Sequence, residues 1–401
     1  MLTRRRIIRW LVQLSMVTVL FDGLIGLDIF INTTFRFAFL LSIIWVAKLA
    51  LVAPLSLRKI SHLLTFPIFL VLGLIAFFNS VRGLFDLQSA DAYFSSVFFY
   101  LLILIGGGAG YTWSSLTNRG VFIVLSDKFI DAIAIILFLI CSIYFLLYIS
   151  QYISYFGLGV QTYIITAALL SSRSSRLSLL PVISTIMTGK RGLLIVLGAQ
   201  YLNNIVSWKR RYGRLSLALL ISLFFLIGYF SYQFDLLVRF ESILDVSLSD
   251  IFEYQNAEAF HRLYLATSGR SNEVFAFIDS ISFYEINFWL GFPADFSFSL
   301  EDAGTGDILQ HHYFHISPFN YFKHFGFIVG MIVLLVQVRV LIFAIKYGGN
   351  RKDIGLLLYV GYFFAMFFGA IVIIDILFWM SFSYSYFQLA SFRAAGKMVA
   401  I

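Results

Sequence analysis

Three groups of residues in this chain have the types and spacing to handle an anionic substrate. The first is Met187-Thr188-Gly189-Lys190-Arg191-Gly192, two adjacent cations between two apolar runs. It is no P-loop: Ser184 stands where the first glycine belongs, and Arg191 replaces the hydroxyl residue after the lysine. Lys190 can simply snorkel to the membrane surface, whereas Arg191 begins a run whose free N-terminal amides would attract anions. The second is Ala266-Thr267-Ser268-Gly269-Arg270-Ser271, preceded by His261-Arg262. Ser268 or Ser271 can cap a helix through 272–280, which puts Arg270 at its start, where guanidinium and amides together receive phosphate oxygens. Ion pairing of Arg270 with Glu273, one turn along, is the plainer alternative. The third is His311-His312-Tyr313-Phe314-His315, leading through Lys323-His324 to Gly326. His311 and His315 would share a helix face, but no glutamate of a metalloprotease pattern accompanies them, so no metal is expected. One neutral imidazole acting as general base is the chemistry these histidines suit best.

The elements that must hold these groups follow from composition. The chain has 401 residues, 60% hydrophobic and 12% charged, with a mean hydropathy of +0.89. Soluble domains carry about 25% charged residues, so a cytosolic globular enzyme, a disordered chain and a disulfide scaffold are excluded. The lone Cys141 rules out an internal disulfide. Apolar runs long enough for membrane spans lie near 10–30, 37–54, 62–80, 94–113, 130–150, 157–172, 177–189, 192–207, 215–234, 316–345, 355–373 and 376–391. The sixth and seventh are short, and Pro181 interrupts the seventh. The expected fold is therefore all-α and polytopic, with about twelve (ten to twelve) transmembrane helices.

Charge sets the orientation. If the arginine-rich start stays in the cytoplasm, the inner segments collect 19 of the 29 Lys and Arg, and both termini are cytoplasmic. The net charge of +8 is then mostly topology, and no nucleic-acid partner is expected. The first span is too long for a signal peptide, carries Asp22 and Asp28 and lacks a cleavage site, so it should be a retained anchor. One segment breaks the pattern of short loops: 235–315, on the outer face, holds 13 of the 21 acidic residues and four of the six histidines. The organisation is thus 1–234 with spans one to nine, 235–315 as the outer loop, and 316–401 with spans ten to twelve and a cytoplasmic tail.

Other features carry less. Glu301-Asp302 and Asp307 could form an acid–base pair of glycosidase type, but there is no D-x-D for a nucleotide-sugar metal. Aromatics crowd the loop at Phe283, Tyr284, Phe288, Trp289, Phe292, Phe296 and Phe298, as either an interfacial belt or sugar-stacking surfaces. Gly106-Gly107-Gly108-Ala109-Gly110 lies in an apolar span and reads as a site of close helix packing, as do Gly326 and Gly330. A secondary transporter is the rival from another class. It would show repeats and midplane charges, whereas Lys48 and Arg339 lie near the cytoplasmic ends of their spans and can snorkel.

In their order and spacing the three groups resemble the bacterial O-antigen polymerase and O-antigen ligase superfamily. Thr188-Gly189-Lys190-Arg191-Gly192-Leu193-Leu194 is similar to its S/T-G-x-R-G segment. Ser268-Gly269-Arg270 is similar to the S/T-G-R of its outer loop, and His315 through Gly326 to its third motif. The resemblance covers roughly 180–345, and Ile316 stands where the family usually has asparagine, which leaves His311 or His312 open as the working residue. The resemblance implies glycosyl transfer at the periplasmic face of the inner membrane, with undecaprenyl-pyrophosphate-linked oligosaccharides as donor and acceptor. It also implies no cofactor, and a polysaccharide chain-length regulator as a partner beside the lipid bilayer. Arg191 and Arg270 would steady the leaving pyrophosphate and His315 would act as base, in one inverting displacement, with Lys190, Arg262, His312 and Lys323 in contact with substrate.

Overall fold

The computed structural model describes residues 4–15, 34–57, 59–85, 87, 89–122, 125–150, 160–171, 177, 180–187, 196–200, 246–247, 249–250, 253, 256, 258–259, 261–263, 270–279, 285–301, 308–311, 313–351, 353–367 and 372–395. Lys190, Arg191 and His312, the far half of the first expected span, most of the eighth and all of the ninth lie outside these residues.

The described chain is mostly helical. In order come α1 (4–15), α2 (Thr34–Leu57), α3 (Ile60–Leu64), α4 (Pro67–Phe85), α5 (Ala90–Asn118), α6 (Asp127–Ile149), α7 (Val160–Ser171) and α8 (Leu180–Met187). After the undescribed stretch follow α9 (Arg270–Asp279), α10 (Ile286–Leu290), β1 (Phe298–Glu301), β2 (Ile308–His311), α11 (Pro318–Arg351), α12 (Ile354–Ala365) and α13 (Ile376–Ala394). Among the described residues, four helices are long and apolar enough to cross a membrane: Pro67–Phe85, Ala90–Asn118, Asp127–Leu147 and Pro318–Gly348. Their outward faces are apolar too. Ile136, Leu139, Ile143 and Leu146 on α6, and Ile328, Ile332, Leu335 and Ile342 on α11, are all exposed at helical spacing. Stripes of that size face hydrocarbon, not water.

At the centre of the bundle α13 packs along α5. The glycine run makes this possible: a Cβ on Gly106 would come within 2.7 Å of the Trp379 Cβ, and one on Gly110 within 2.7 Å of the Ser383 Cβ. Backbones this close are what small residues at a helix crossing provide. Since α13 is buried almost all round, its polar side chains must be satisfied internally, at a cost of about 1–3 kcal/mol for each one left unpaired. Ser383 accordingly donates to the Gly107 carbonyl at 2.7 Å, and Gln388 donates to the Ser114 hydroxyl at 3.1 Å and to Asn118 at 3.0 Å. Lys48, expected to snorkel, is instead 4% exposed and belongs to the packed interior.

Two ends of the bundle differ in character. At one end, Asn118 donates to Ser391 and a pocket gathers Arg4, Lys59 and Arg119. At the other, the loop residues dock: Tyr313 donates to the Ser95 carbonyl at 2.5 Å, and Asn79 donates to the Leu290 and His324 carbonyls.

The expectation of an all-helical chain misses one pair. β1 and β2 run antiparallel, Phe298 opposite His311 and Glu301 opposite Ile308. Phe298 earns that conformation by burying its ring, stacked at 4.3 Å on Phe314.

Candidate functional site

The site is built where α9 meets the turn 313–317 at the loop end of the bundle. α9 is buried on two sides: Ser271 and Phe275 lie on one, and Glu273 and Phe277 on the other. Phe277 joins Phe292, Phe298 and Phe314 in a small aromatic core, with Phe296, Phe319 and Phe322 packed against it. Of the loop aromatics, Phe292, Phe296 and Phe298 thus belong to a core that fixes α9 against the turn, while Phe283 and Tyr284 lie outside the described residues. Phe288 instead stacks on Phe327 of α11 at 5.1 Å, and Trp289 is exposed.

The turn itself is clamped by Asn320 in the first turn of α11. Its carbonyl accepts from the Phe314 amide at 2.9 Å, and its amide donates to the Phe314 and Ser317 carbonyls at 2.8 and 3.3 Å. The Ser317 amide donates to the Met366 carbonyl just beyond α12. With its backbone held from both sides, His315 has a fixed position.

Glu273 fixes its ring. One carboxylate oxygen lies 2.5 Å from His315 Nδ1, and the other accepts from the His315 amide at 2.8 Å. Glu273 is 7% exposed in its side chain and His315 39%. A buried carboxylate against Nδ1 favours the tautomer with the proton there, which leaves Nε2 as the ring's acceptor. A neutral imidazole so held can take a proton from a bound hydroxyl. Arg270 stands one turn before Glu273 on the same helix, partly exposed, so α9 presents a guanidinium and the carboxylate that orients His315.

The remaining expected residues that are described have other partners. Arg262 forms a network of its own: its Nη2 and Nε reach Asp250 at 2.6 and 3.2 Å, and its Nη1 reaches Glu258 at 2.9 Å. That guanidinium holds the Asp250 carboxyl well below the ordinary range, at about 2. Lys323 is buried, its Nζ 5.8 Å from the ring centres of both Phe296 and Tyr313. Burial pushes the Tyr313 phenol up to about 12, so it stays a donor to Ser95. His311 ends β2, apart in sequence from the clamped turn. Among the described residues no cluster of histidine, cysteine and carboxylate could hold a metal.

Two further features were not legible as part of a site. Glu273 read as a partner for Arg270, and nothing in its spacing linked it to a histidine 42 positions away. Gly326 read as a packing glycine, but it adopts φ +73 and ψ 171 and breaks α11 into two helical pieces. A Cβ there would run into the Trp289 carbonyl and the Leu290 amide, so glycine is what lets α10 dock on the break. Arg82 of α4 also holds this segment, donating to Asn287 at 2.6 Å and to the Gly291 carbonyl at 3.0 Å.

Comparison of the chain with protein-family models, with curated proteins and with solved structures gives no match in any of the three.

Proposed function

We propose that the chain is a membrane glycosyltransferase of the O-antigen polymerase type. It would join undecaprenyl-pyrophosphate-linked oligosaccharide repeat units at the periplasmic face of the inner membrane. The observation that supports this reading best is the two-point grip of Glu273 on His315, one helical turn from Arg270.

The chemistry matches that set. Pyrophosphate is a good leaving group, so the step needs cations on the developing charge more than an acid to protonate it. A hydroxyl of the acceptor sugar attacks the anomeric carbon of the donor. Its proton passes to His315 Nε2 as the new C–O bond forms. The bond from the anomeric carbon to the pyrophosphate oxygen breaks, and undecaprenyl pyrophosphate leaves with its charge held by Arg270 and, on the reading of the sequence, by Arg191. Glu273 keeps the ring oriented and steadies the imidazolium that results. One displacement inverts the anomeric centre.

A ligase that transfers glycan to lipid A core would use the same groups, so the acceptor decides between the two. Purified protein is given lipid-linked repeat units alone and then with lipid A core. A ladder of lipid-linked oligomers from repeat units alone is the result expected of a polymerase. Product formed only when core is added would make the enzyme a ligase, and no transfer under either condition would refute both.

A further inference from the structure

At the end of the bundle opposite the loop, three cations from three separate segments line a single pocket. Arg4 lies in α1, Lys59 in the turn between α2 and α3, and Arg119 follows the last residue of α5. Thr112, Ser115 and Leu116 complete the described lining. The cavity measures about 60 Å³, room for several waters or one phosphate group. From Ser95, which anchors the loop, to Thr112 the helix rises about 25 Å, so this pocket is remote from His315.

Basic residues at one end of a membrane bundle are ordinary when each reaches separately into water. These three line one space, Lys59 half-buried and Arg4 and Arg119 exposed at its edge. Among the described residues no carboxylate lines the pocket. The Lys59 Nζ stands 5.8 Å from the Tyr111 ring centre instead of pointing away from the protein. Thr112 already donates its hydroxyl to the Leu55 and Gly108 carbonyls, so it stitches α2 to α5 and holds the pocket's wall. An anion in this space would face three positive charges. Close in sequence to the three cations are Leu57, Trp10 and Phe122, all exposed apolar side chains that suit a lipid's acyl region.

We propose that this pocket binds a phosphate group, and that an anionic phospholipid headgroup is its source in the membrane. Basic pockets between transmembrane helices on the cytoplasmic side are where such headgroups dock, and the charge reading puts this end of the bundle there. The guanidinium groups of Arg4 and Arg119 can each take two phosphate oxygens, with Lys59 as a point charge beside them.

The test is a titration of the full-length protein in detergent with phosphatidylglycerol and with phosphatidylcholine, bound lipid being counted by native mass spectrometry. Phosphatidylglycerol should bind more tightly. Lys59→Gln and Arg119→Gln should each weaken it about fivefold and leave phosphatidylcholine unchanged. Lys346→Gln, a charge outside the pocket, should change neither, and Lys59→Arg should keep binding even if a glutamine variant folds poorly. A parallel titration with inorganic phosphate distinguishes the sources. Phosphate that binds wild type, weakens in the same variants and displaces the lipid would make the free ion the occupant of the same site. Equal phosphatidylglycerol binding by wild type, Lys59→Gln and Arg119→Gln would overturn the proposal.

Discussion

Glu273 is where the residue scale adds most to the sequence. On α9 it pairs by spacing with Arg270, and the fold instead turns it to His315, with both oxygens used. A charged hydrogen bond is worth about 1.5–3 kcal/mol, so Glu273→Gln should lower kcat about ten- to a hundredfold with little change in KM. A purely structural role would instead lower the amount of folded protein and leave kcat alone. Arg270→Ala should be nearly inactive and Arg270→Lys clearly impaired, because lysine keeps the charge but loses the fork. Chain-length profiles in cells would read both variants, and wild-type profiles from folded Arg270→Ala would reduce Arg270 to an ion-pair residue. Asp250 gives a pH test away from the site. Its carboxyl is depressed to about 2 by Arg262, so the contribution of that pair is complete above the ordinary value of 3.8. It is lost as the pH falls through about 2. The difference in Tm between wild type and Asp250→Asn should stay constant from neutral pH to about pH 5 and vanish near pH 2.

Elements were legible where composition alone decides them. The apolar runs at 94–113, 130–150 and 376–391 became α5, α6 and α13, because about 20 apolar residues bounded by polar ones have few other solutions. Boundaries moved where a single residue overrides hydropathy. Pro67 cannot continue the helix from Ile60–Leu64, so the span expected at 62–80 starts afresh as α4. The hairpin was missed because its reason, a ring stack of Phe298 on Phe314, is a tertiary contact with no local pattern. Gly326 shows the same limit: its spacing from Gly330 suggested packing, whereas its backbone conformation is one that only glycine adopts freely. Gly326→Ala should destabilise by about 1–3 kcal/mol from backbone strain, with more from the clash at Trp289 and Leu290. The Tm should therefore fall by several degrees, and an unchanged Tm would mean that α10 does not dock on this break.

The whole molecule is an asymmetric bundle, with a basic pocket at one end and a folded loop with its own aromatic core at the other. Charge parity in the sequence predicts that the basic end lies on the cytoplasmic side, because basic residues sort by side of the membrane. The geometry of the site could not be anticipated, since Glu273 reaches His315 across 42 positions through a tertiary contact alone. Cysteine labelling in intact cells tests the orientation. Glu258→Cys, at a side chain 81% exposed, should label from outside, and Lys128→Cys should not. Asp295 lies on the same loop but is only 6% exposed, which makes it a poor reporter, and the native Cys141 is buried and should stay silent. The reverse labelling pattern would turn the site towards the cytoplasm. The most direct test of the central claim is the release of undecaprenyl pyrophosphate from lipid-linked repeat units by purified wild type, His315→Ala and His311→Ala. General-base help is worth about a hundred- to ten-thousand-fold. The account predicts that His315→Ala, folded and membrane-inserted, loses at least a hundredfold in rate while His311→Ala stays near wild type. Release by His315→Ala at the wild-type rate would contradict it.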